Sequence, residues 1–336
     1  MEMEENKSES VDNLEKAKSI LINKSSLCFE GGGVLGIAEV GALVRLQELG
    51  GLKEIHNVVG TSVGSILAAA LGCGASIEFI KNTMFGINLK SFKDGSCVLI
   101  NILRFLKKGG WYKGDEIENF MGRVLKILTG NADITLLEAY NRFKIRMTIV
   151  YFSVNYGKTV YADYKTEPNL KVKQAVRRSS SIPAFYSAVW EDRLGKSKNV
   201  FVDGGVTDNY PLHVLKDQEC PLKCILGLKL CSQTEFNEYK EDKGEEVEDI
   251  DQGPPKNIYE HFMRLIGVLH SQALRYHVEQ EDWNLTVKID VGTYQTTDFG
   301  ISYESLLWLF NQGIAAVDKH MLEIEKLLDE GTYPTN

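Results

Sequence analysis

The stretch Ile55-His56-Asn57-Val58-Val59-Gly60-Thr61-Ser62-Val63-Gly64-Ser65-Ile66-Leu67-Ala68-Ala69-Ala70-Leu71 decides how this chain is read. Ile55–Val59 is a short apolar run with the length and composition of a buried strand. Ser65–Leu71 continues as an apolar helix. Between them stands Gly60-Thr61-Ser62-Val63-Gly64, the G-x-S-x-G pattern of a nucleophile elbow. A sharp strand-to-helix turn lifts Ser62 above the sheet, and the flanking glycines let backbone approach where a Cβ would clash. The following helix aims its N-terminal amides and the positive end of its dipole at the reacting centre. So short a pattern also arises by chance, and the competing reading is a structural turn. The strand before it and the helix after it favour the catalytic one.

The same plan occurs one unit earlier. Ser26-Leu27-Cys28-Phe29-Glu30 reads as a strand and Gly31-Gly32-Gly33 as a turn. Ile37 to Leu49 follows with Ile37, Val40, Leu43, Val44 and Leu46 at helical spacing, closed by Gly50-Gly51. Two strand–glycine turn–helix units in succession imply an α/β domain on a parallel sheet with right-handed crossovers. Further strands are expected at Ile145–Tyr151, Thr159–Ala162, Asn199–Val202 and Cys224–Leu230, and helices at Ile258–Val278 and Ser302–Leu328.

The glycine turn Gly31-Gly32-Gly33-Val34-Leu35-Gly36 fits two chemistries. As G-x-G-x-x-G it would hold a dinucleotide pyrophosphate, which requires an acidic residue ending the second strand. That strand ends in Val59-Gly60-Thr61-Ser62 instead, and Glu54 precedes it. The other reading is an oxyanion hole, in which successive glycine N–H groups converge on the negative oxygen formed when a serine attacks an ester. This second reading fits the neighbouring elbow better.

A serine hydroxyl needs a base. Of the six histidines, His56 falls at the wrong end of its strand, and His261, His270, His277 and His320 lie in helical patterns. His213 follows Ser62 and Asp203 in the Ser–Asp–His order of α/β-hydrolases, but it sits at the start of a helix, Pro211–Lys216, and is expected to point away. Asp203, in Asn199-Val200-Phe201-Val202-Asp203-Gly204-Gly205, is the stronger candidate. A carboxylate delivered to a glycine turn by a strand can serve as the base if partial burial raises its pKa. The competing reading has Asp203 capping its own turn.

Together the three turns resemble the patatin-like phospholipases: a glycine-rich turn opening the domain, Gly60-x-Ser62-x-Gly64 one βα unit later, and Asp203-Gly204-Gly205 near the domain end. Val176-Arg177-Arg178-Ser179-Ser180-Ser181-Ile182-Pro183-Ala184-Phe185 is similar to the family's serine-rich segment before a proline, and Asp208-Asn209-Tyr210-Pro211-Leu212 to its Asn-x-Pro segment. Gly110–Asp115 and Thr297-Asp298-Phe299 resemble stretches of bacterial-type members. The likeness spans roughly residues 25 to 300. It implies a three-layer α/β/α fold with a mainly parallel central sheet, a Ser62–Asp203 dyad, an acyl-enzyme and calcium-independent ester hydrolysis. It implies that Gly32 and Gly33 give the oxyanion amides, with Gly31 and Gly36 shaping the turn. Many members carry Arg or Lys where this chain has Leu35, which leaves the backbone donors untouched but removes a positive charge.

Composition bounds the rest. With 336 residues, 43% hydrophobic and 25% charged, the chain is ordinary for a globular protein. A net charge of -8 argues against nucleic-acid binding through a general field. The six cysteines include no C-x-x-C pair, so small buried hydrophobes are expected rather than disulfides or a metal site; Cys220 and Cys224 could share a helix face. No cofactor is expected. Residues 1–24 read as a polar lead-in with a short helix near Leu14–Ile22, residues 25–216 as the catalytic core, and residues 217–336 as its continuation, with an acidic surface loop at 241–255. Neither a signal peptide nor a membrane span is read, so a cytoplasmic protein in peripheral contact with lipid is expected. Val98–Lys108, with Arg104, Lys107 and Lys108, is either an interfacial segment near the mouth of the site or an amphipathic helix packed on the domain. Two broader alternatives stay open: an esterase using His213, and a catalytically inert lipid-binding protein on the same fold.

Overall fold

The structure, a computed structural model, describes residues 13–192, 198–232 and 280–333, with short stretches at 235–236, 253–255, 260–262, 264–265, 267–268 and 278. Of the helix expected at Ile258–Val278, residues 260–262, 264–265 and 267–268 are helical and 278 is not; the rest of it, with most of the 241–255 loop, lies outside the described residues.

The central sheet contains β1 (Ser26–Phe29), β2 (Asn57–Thr61), β4 (Arg146–Ser153), β5 (Lys158–Ala162), β7 (Val189–Asp192), β8 (Lys198–Asp203), β9 (Ile225–Cys231) and β10 (Thr286–Asp290). Its order is β10-β9-β1-β2-β4-β8-β7, with β5 pairing on β4. The run from β10 to β4 is parallel; β8, β7 and β5 join antiparallel. A separate two-stranded ribbon pairs β3 (Gly110–Tyr112) with β6 (Ala184–Tyr186).

Side-chain alternation along the strands builds a core on each face of the sheet. Leu27, Phe29, Val58, Ile149 and Tyr151 point into the larger core. The residues between them, Cys28, Val59 and Val150, point into the smaller one. The larger core is covered chiefly by α2 (Ile37–Glu48), α3 (Val63–Gly72), α6 (Asp115–Thr129), α8 (Val172–Ser179) and α10 (Tyr303–Asp329), and the smaller one by α9 (Leu212–Asp217) and Tyr210. Helices on both faces of a mainly parallel sheet give the α/β layering expected from the sequence.

The short helix expected near Leu14–Ile22 spans residues 13–22; it buries Ala17 and Leu21, and Asn13 donates to Asp329 Oδ1 at 2.5 Å, so this helix packs onto the domain. Gly41 of α2 and Gly313 of α10 let the two helices cross at backbone contact: a Cβ on Gly41 would meet Phe310 O at 1.9 Å. Cys220 and Cys224 share no helix face, because Cys220 lies in the connection after α9 while Cys224 ends the short 3-10 stretch Leu222–Cys224. All six cysteines are free. No helix among the described residues is long and apolar enough to cross a membrane.

Candidate active site

Ser62 sits between β2 and α3 with φ 53° and ψ -122°, a conformation that a non-glycine residue adopts only under constraint. The constraint is visible in its neighbours. A Cβ on Gly60 would lie 2.2 Å from Gly64 O, and one on Gly64 would lie 2.5 Å from Phe29 O. The strand, turn and helix are therefore pressed together more closely than any side chain allows. The Ser62 N–H donates to Ser179 Oγ at 2.9 Å, and Ser179 Oγ donates to Val150 O at 2.5 Å.

Asp203 ends β8. Its backbone N–H donates to Ser181 O at 3.0 Å, and its Oδ1 accepts the Gly205 N–H at 2.8 Å. Gly204 must be glycine because a Cβ there would meet Val150 O at 2.5 Å. The serine-rich segment after α8 is thus a hub, with Ser179 holding the serine turn and Ser181 the aspartate turn. Arg177 fixes the hub, donating from Nη1 to Ser181 Oγ at 2.6 Å and from Nη2 to Lys113 O and Ser187 O.

The Asp203 carboxyl is buried, and that burial pushes its pKa from 3.8 up to about 7; the Gly205 N–H and the neighbouring Ser62 hydroxyl pull in the opposite direction. Its Oδ2 completes no hydrogen bond among the described residues. The hydroxyl and the carboxyl therefore lie within electrostatic reach without a formed bond between them, leaving one carboxyl oxygen open.

The glycine turn closes over this pair. Gly31 N–H donates to Asn209 O at 3.0 Å, and Asn209 Nδ2 donates back to Gly31 O at 2.9 Å. A Cβ on Gly31 would stand 3.1 Å from Ser62 Cβ, which places the turn directly against the serine. Gly33 takes φ 56° with its α-carbon against the Thr296 carbonyl, where a Cβ would lie 2.1 Å from the oxygen. Gly36 packs on Val63. The N–H groups of Gly32 and Gly33 find no acceptor among the described residues. Glu30, just before the turn, accepts from Lys229 Nζ at 2.9 Å and from Leu230 N–H at 2.7 Å, tying the turn to β9. Leu35 is buried in the larger core, so the residue at that position packs rather than bringing charge to the site.

Ser62 opens into a narrow apolar cavity of about 60 Å³. Ile66, Met84, Phe92, Phe120, Tyr186 and Phe299 are among its walls. His213 lies elsewhere: its Nε2 is 3.8 Å from Asp208 Oδ2 and 3.4 Å from the Tyr161 hydroxyl. It is thus partnered with Asp208 rather than Asp203. No cluster of three or more potential metal ligands occurs among the described residues.

The structure brings Ser62, Asp203 and the glycines at 31–33, 36, 60, 64, 204 and 205 into one locality. The sequence reading assigned no role to Ser179, Ser181, Asn209 or Thr296. The first three fall in stretches already marked by the family resemblance, so a signal existed; Thr296 precedes such a stretch by one residue and carried none.

The sequence model of patatin-like phospholipases matches residues 27–216. Over 304 residues the chain is 25% identical to protein R571 of Acanthamoeba polyphaga mimivirus, covering 89% of this chain and 94% of that protein. It is 29% identical over 216 residues to triacylglycerol lipase 4 of Saccharomyces cerevisiae, a match covering 58% of this chain and 23% of the lipase. Among solved structures, VipD from Legionella pneumophila superposes with a TM-score of 0.57 at 17% identity, over 90% of this chain and 67% of that one, a likeness of fold.

Proposed function

The chain belongs to the patatin-like phospholipase family, and from that premise we propose that it is a lipid acyl hydrolase acting through Ser62 and Asp203. Ser62 Oγ attacks the ester carbonyl, and its proton passes to the open Oδ2 of Asp203. The N–H groups of Gly32 and Gly33 receive the negative charge that develops on the carbonyl oxygen. Collapse expels the alcohol, which takes that proton back from Asp203, and leaves an acyl group on Ser62. A water then gives a proton to Asp203 as it attacks the acyl carbonyl, and Asp203 returns the proton to Ser62 Oγ as the carboxylic acid departs.

One observation carries this reading. A carboxyl held at about 7 lies behind a conformationally constrained serine, and that serine opens into an apolar cavity. A carboxyl with an ordinary pKa would be a weak base toward a serine hydroxyl. Burial makes Asp203 basic enough to accept the proton near neutral pH. The aliphatic and aromatic walls suit an acyl chain, and the narrow bore calls for side-chain movement on binding. The substrate class is the carboxylic ester of a phospholipid or acylglycerol, met at the surface of a lipid aggregate.

The test is hydrolysis of p-nitrophenyl acyl esters together with labelling by a fluorophosphonate. Wild-type protein should turn over the ester and label at Ser62, with no loss in the presence of a calcium chelator. Ser62→Ala should do neither while keeping its thermal unfolding midpoint. Undiminished turnover by Ser62→Ala would remove the proposal.

A further inference from the structure

Helix α5 (Val98–Lys108, VLINILRFLKK) is attached to the protein the wrong way round. Its only buried residue is the polar Asn101, which accepts the Ser96 N–H at 2.8 Å and donates to Ser96 O at 3.1 Å. Arg104 reinforces this polar seam, donating to Asn101 Oδ1 and to the Trp111 carbonyl. Every large apolar side chain of the helix faces outward, with Leu106 75% and Leu99 67% exposed. At 100° per residue the apolar positions cover more than half of the circumference, far beyond the stripe a packed helix buries. Scattered surface leucines need no explanation, but a continuous apolar face on one helix does.

Beside this face lies a groove of about 560 Å³ between α5 and the segment Ser187–Trp190. Ile100, Leu103 and the half-exposed Trp190 form its apolar side. Lys107, Lys108, Lys113 and the buried Arg177 bring positive charge to it, against the carboxylates of Asp115 and Glu118. Among the described residues no carboxylate pairs with Lys107, Lys108 or Lys113. One segment serves both pockets: Tyr186 lines the cavity at Ser62 and Ser187, the next residue, lines the groove. The segment leading into α5 also supplies Ile87, Leu89 and Phe92 to the cavity wall.

We infer that α5 and this groove form a docking face for a bilayer containing anionic phospholipid, with the helix entering the acyl layer and the groove taking a phosphate-bearing headgroup. The inference deepens the lipid-hydrolase reading and rests on it for the nature of the substrate surface. Charge complementarity selects the occupant. In a chain of net charge -8, lysines with no carboxylate partner among the described residues concentrate where the apolar face meets the groove. An apolar helix flanked by lysines and an exposed indole is the pattern of an interfacial segment. A protein partner covering the helix would leave that local positive charge unexplained.

The test uses the full chain and sedimentation with two kinds of vesicle, phosphatidylcholine alone and phosphatidylcholine mixed with phosphatidylglycerol. Wild type should bind the mixed vesicles more tightly, and added salt should weaken that binding. Lys107→Glu with Lys108→Glu should lower affinity for the mixed vesicles by about tenfold or more and erase the preference. Leu99→Asp with Leu106→Asp should remove binding to both kinds. These side chains are already exposed, so the thermal midpoint should hold. Ser62→Ala should bind as wild type does, which separates docking from hydrolysis. Unchanged binding in either double variant would overturn the inference. So would an apolar face buried in a second copy, seen as a wild-type dimer that Leu99→Asp with Leu106→Asp converts to monomer without affecting vesicle binding.

Discussion

Asp203 and Asp208 stand on opposite sides of one short turn, and they differ in a way their acidity does not reveal. Both are buried, and burial lifts each carboxyl to about 7. Asp208 is spoken for: the Tyr161 hydroxyl donates to its Oδ2 at 2.9 Å, with His213 3.8 Å from the same oxygen. Its backbone is equally engaged, with its carbonyl accepting from Thr61 Oγ1 and its N–H donating to Gly204 O. Asp203 has one oxygen anchored by Gly205 and the other open beside Ser62. A raised pKa therefore marks burial, while an open oxygen next to a nucleophile marks a base.

The largest expected effect follows from that difference. Asp203→Asn should lower kcat/KM on p-nitrophenyl esters on the order of a thousandfold or more, because an amide accepts no proton. Asp208→Asn keeps an acceptor for Tyr161 and should stay within about tenfold of wild type. Equal losses in the two variants would erase the distinction. A pH profile sharpens it. The base works only when ionised, so kcat/KM should fall as pH drops through about 7. That acid limb should survive Asp208→Asn unmoved, whereas a limb displaced by it would assign the titration to the wrong aspartate.

Stability gives a smaller reading with a different sign. The Asp203 pKa is higher folded than unfolded, so its ionised form opposes folding. The penalty is absent below about 4 and complete above about 7. A rise from 3.8 to about 7 corresponds to roughly 4 kcal/mol at most. Asp203→Asn should therefore raise the thermal midpoint above pH 7, with the gain fading as pH falls toward 4, even as activity is lost. Asp208→Asn should gain a similar amount, since burial lifts its carboxyl from 3.8 to about 7 as well, with the Tyr161 hydroxyl already pulling against that rise. A destabilised Asp203→Asn protein at alkaline pH would show that the carboxylate is structural.

Helices α3 and α5 show what the sequence could and could not disclose. Both are short and apolar. In α3 nine of ten residues are buried, and in α5 only Asn101 is. The first is readable because it follows a strand and a glycine turn, which fix its place over the sheet. The second has no such neighbour, and its attachment depends on where Ser96 and the Trp111 carbonyl come to lie. The three cations of α5 look equivalent in sequence, yet Arg104 is a structural anchor while Lys107 and Lys108 pair with no carboxylate among the described residues. The strand–turn–helix units and the turns that carry Ser62 and Asp203 were legible because each is a local pattern, with strand bounds off by a residue or two. The pairing of Tyr161 with Asp208 and the contact of Thr296 with the glycine turn were not, because they join residues 47 and more than 250 positions apart.

The smallest expected effect tests whether an open oxygen suffices. Glu39 is fully buried and its carboxyl is pushed well above the ordinary carboxylate range, chiefly by desolvation and then by Glu30. Its Oε1 accepts the Glu30 N–H at 2.9 Å, and its Oε2 has no partner among the described residues. In those two respects it matches Asp203: buried, with one oxygen bonded to backbone and the other open. What it lacks is a nucleophile beside the open oxygen. Burial favours the uncharged form of the Glu39 carboxyl, and Glu39→Gln puts an uncharged group of the same shape in its place. The Glu30 N–H keeps its acceptor, and the cost is the extra N–H of the amide in a site with no acceptor for it, about 1–3 kcal/mol. Turnover of soluble esters should stay within about twofold of wild type, with the acid limb still near 7. A loss approaching that of Asp203→Asn would mean that the open carboxyl oxygen of Glu39 takes part in proton transfer, and the contrast drawn from Asp203 and Asp208 would then be incomplete.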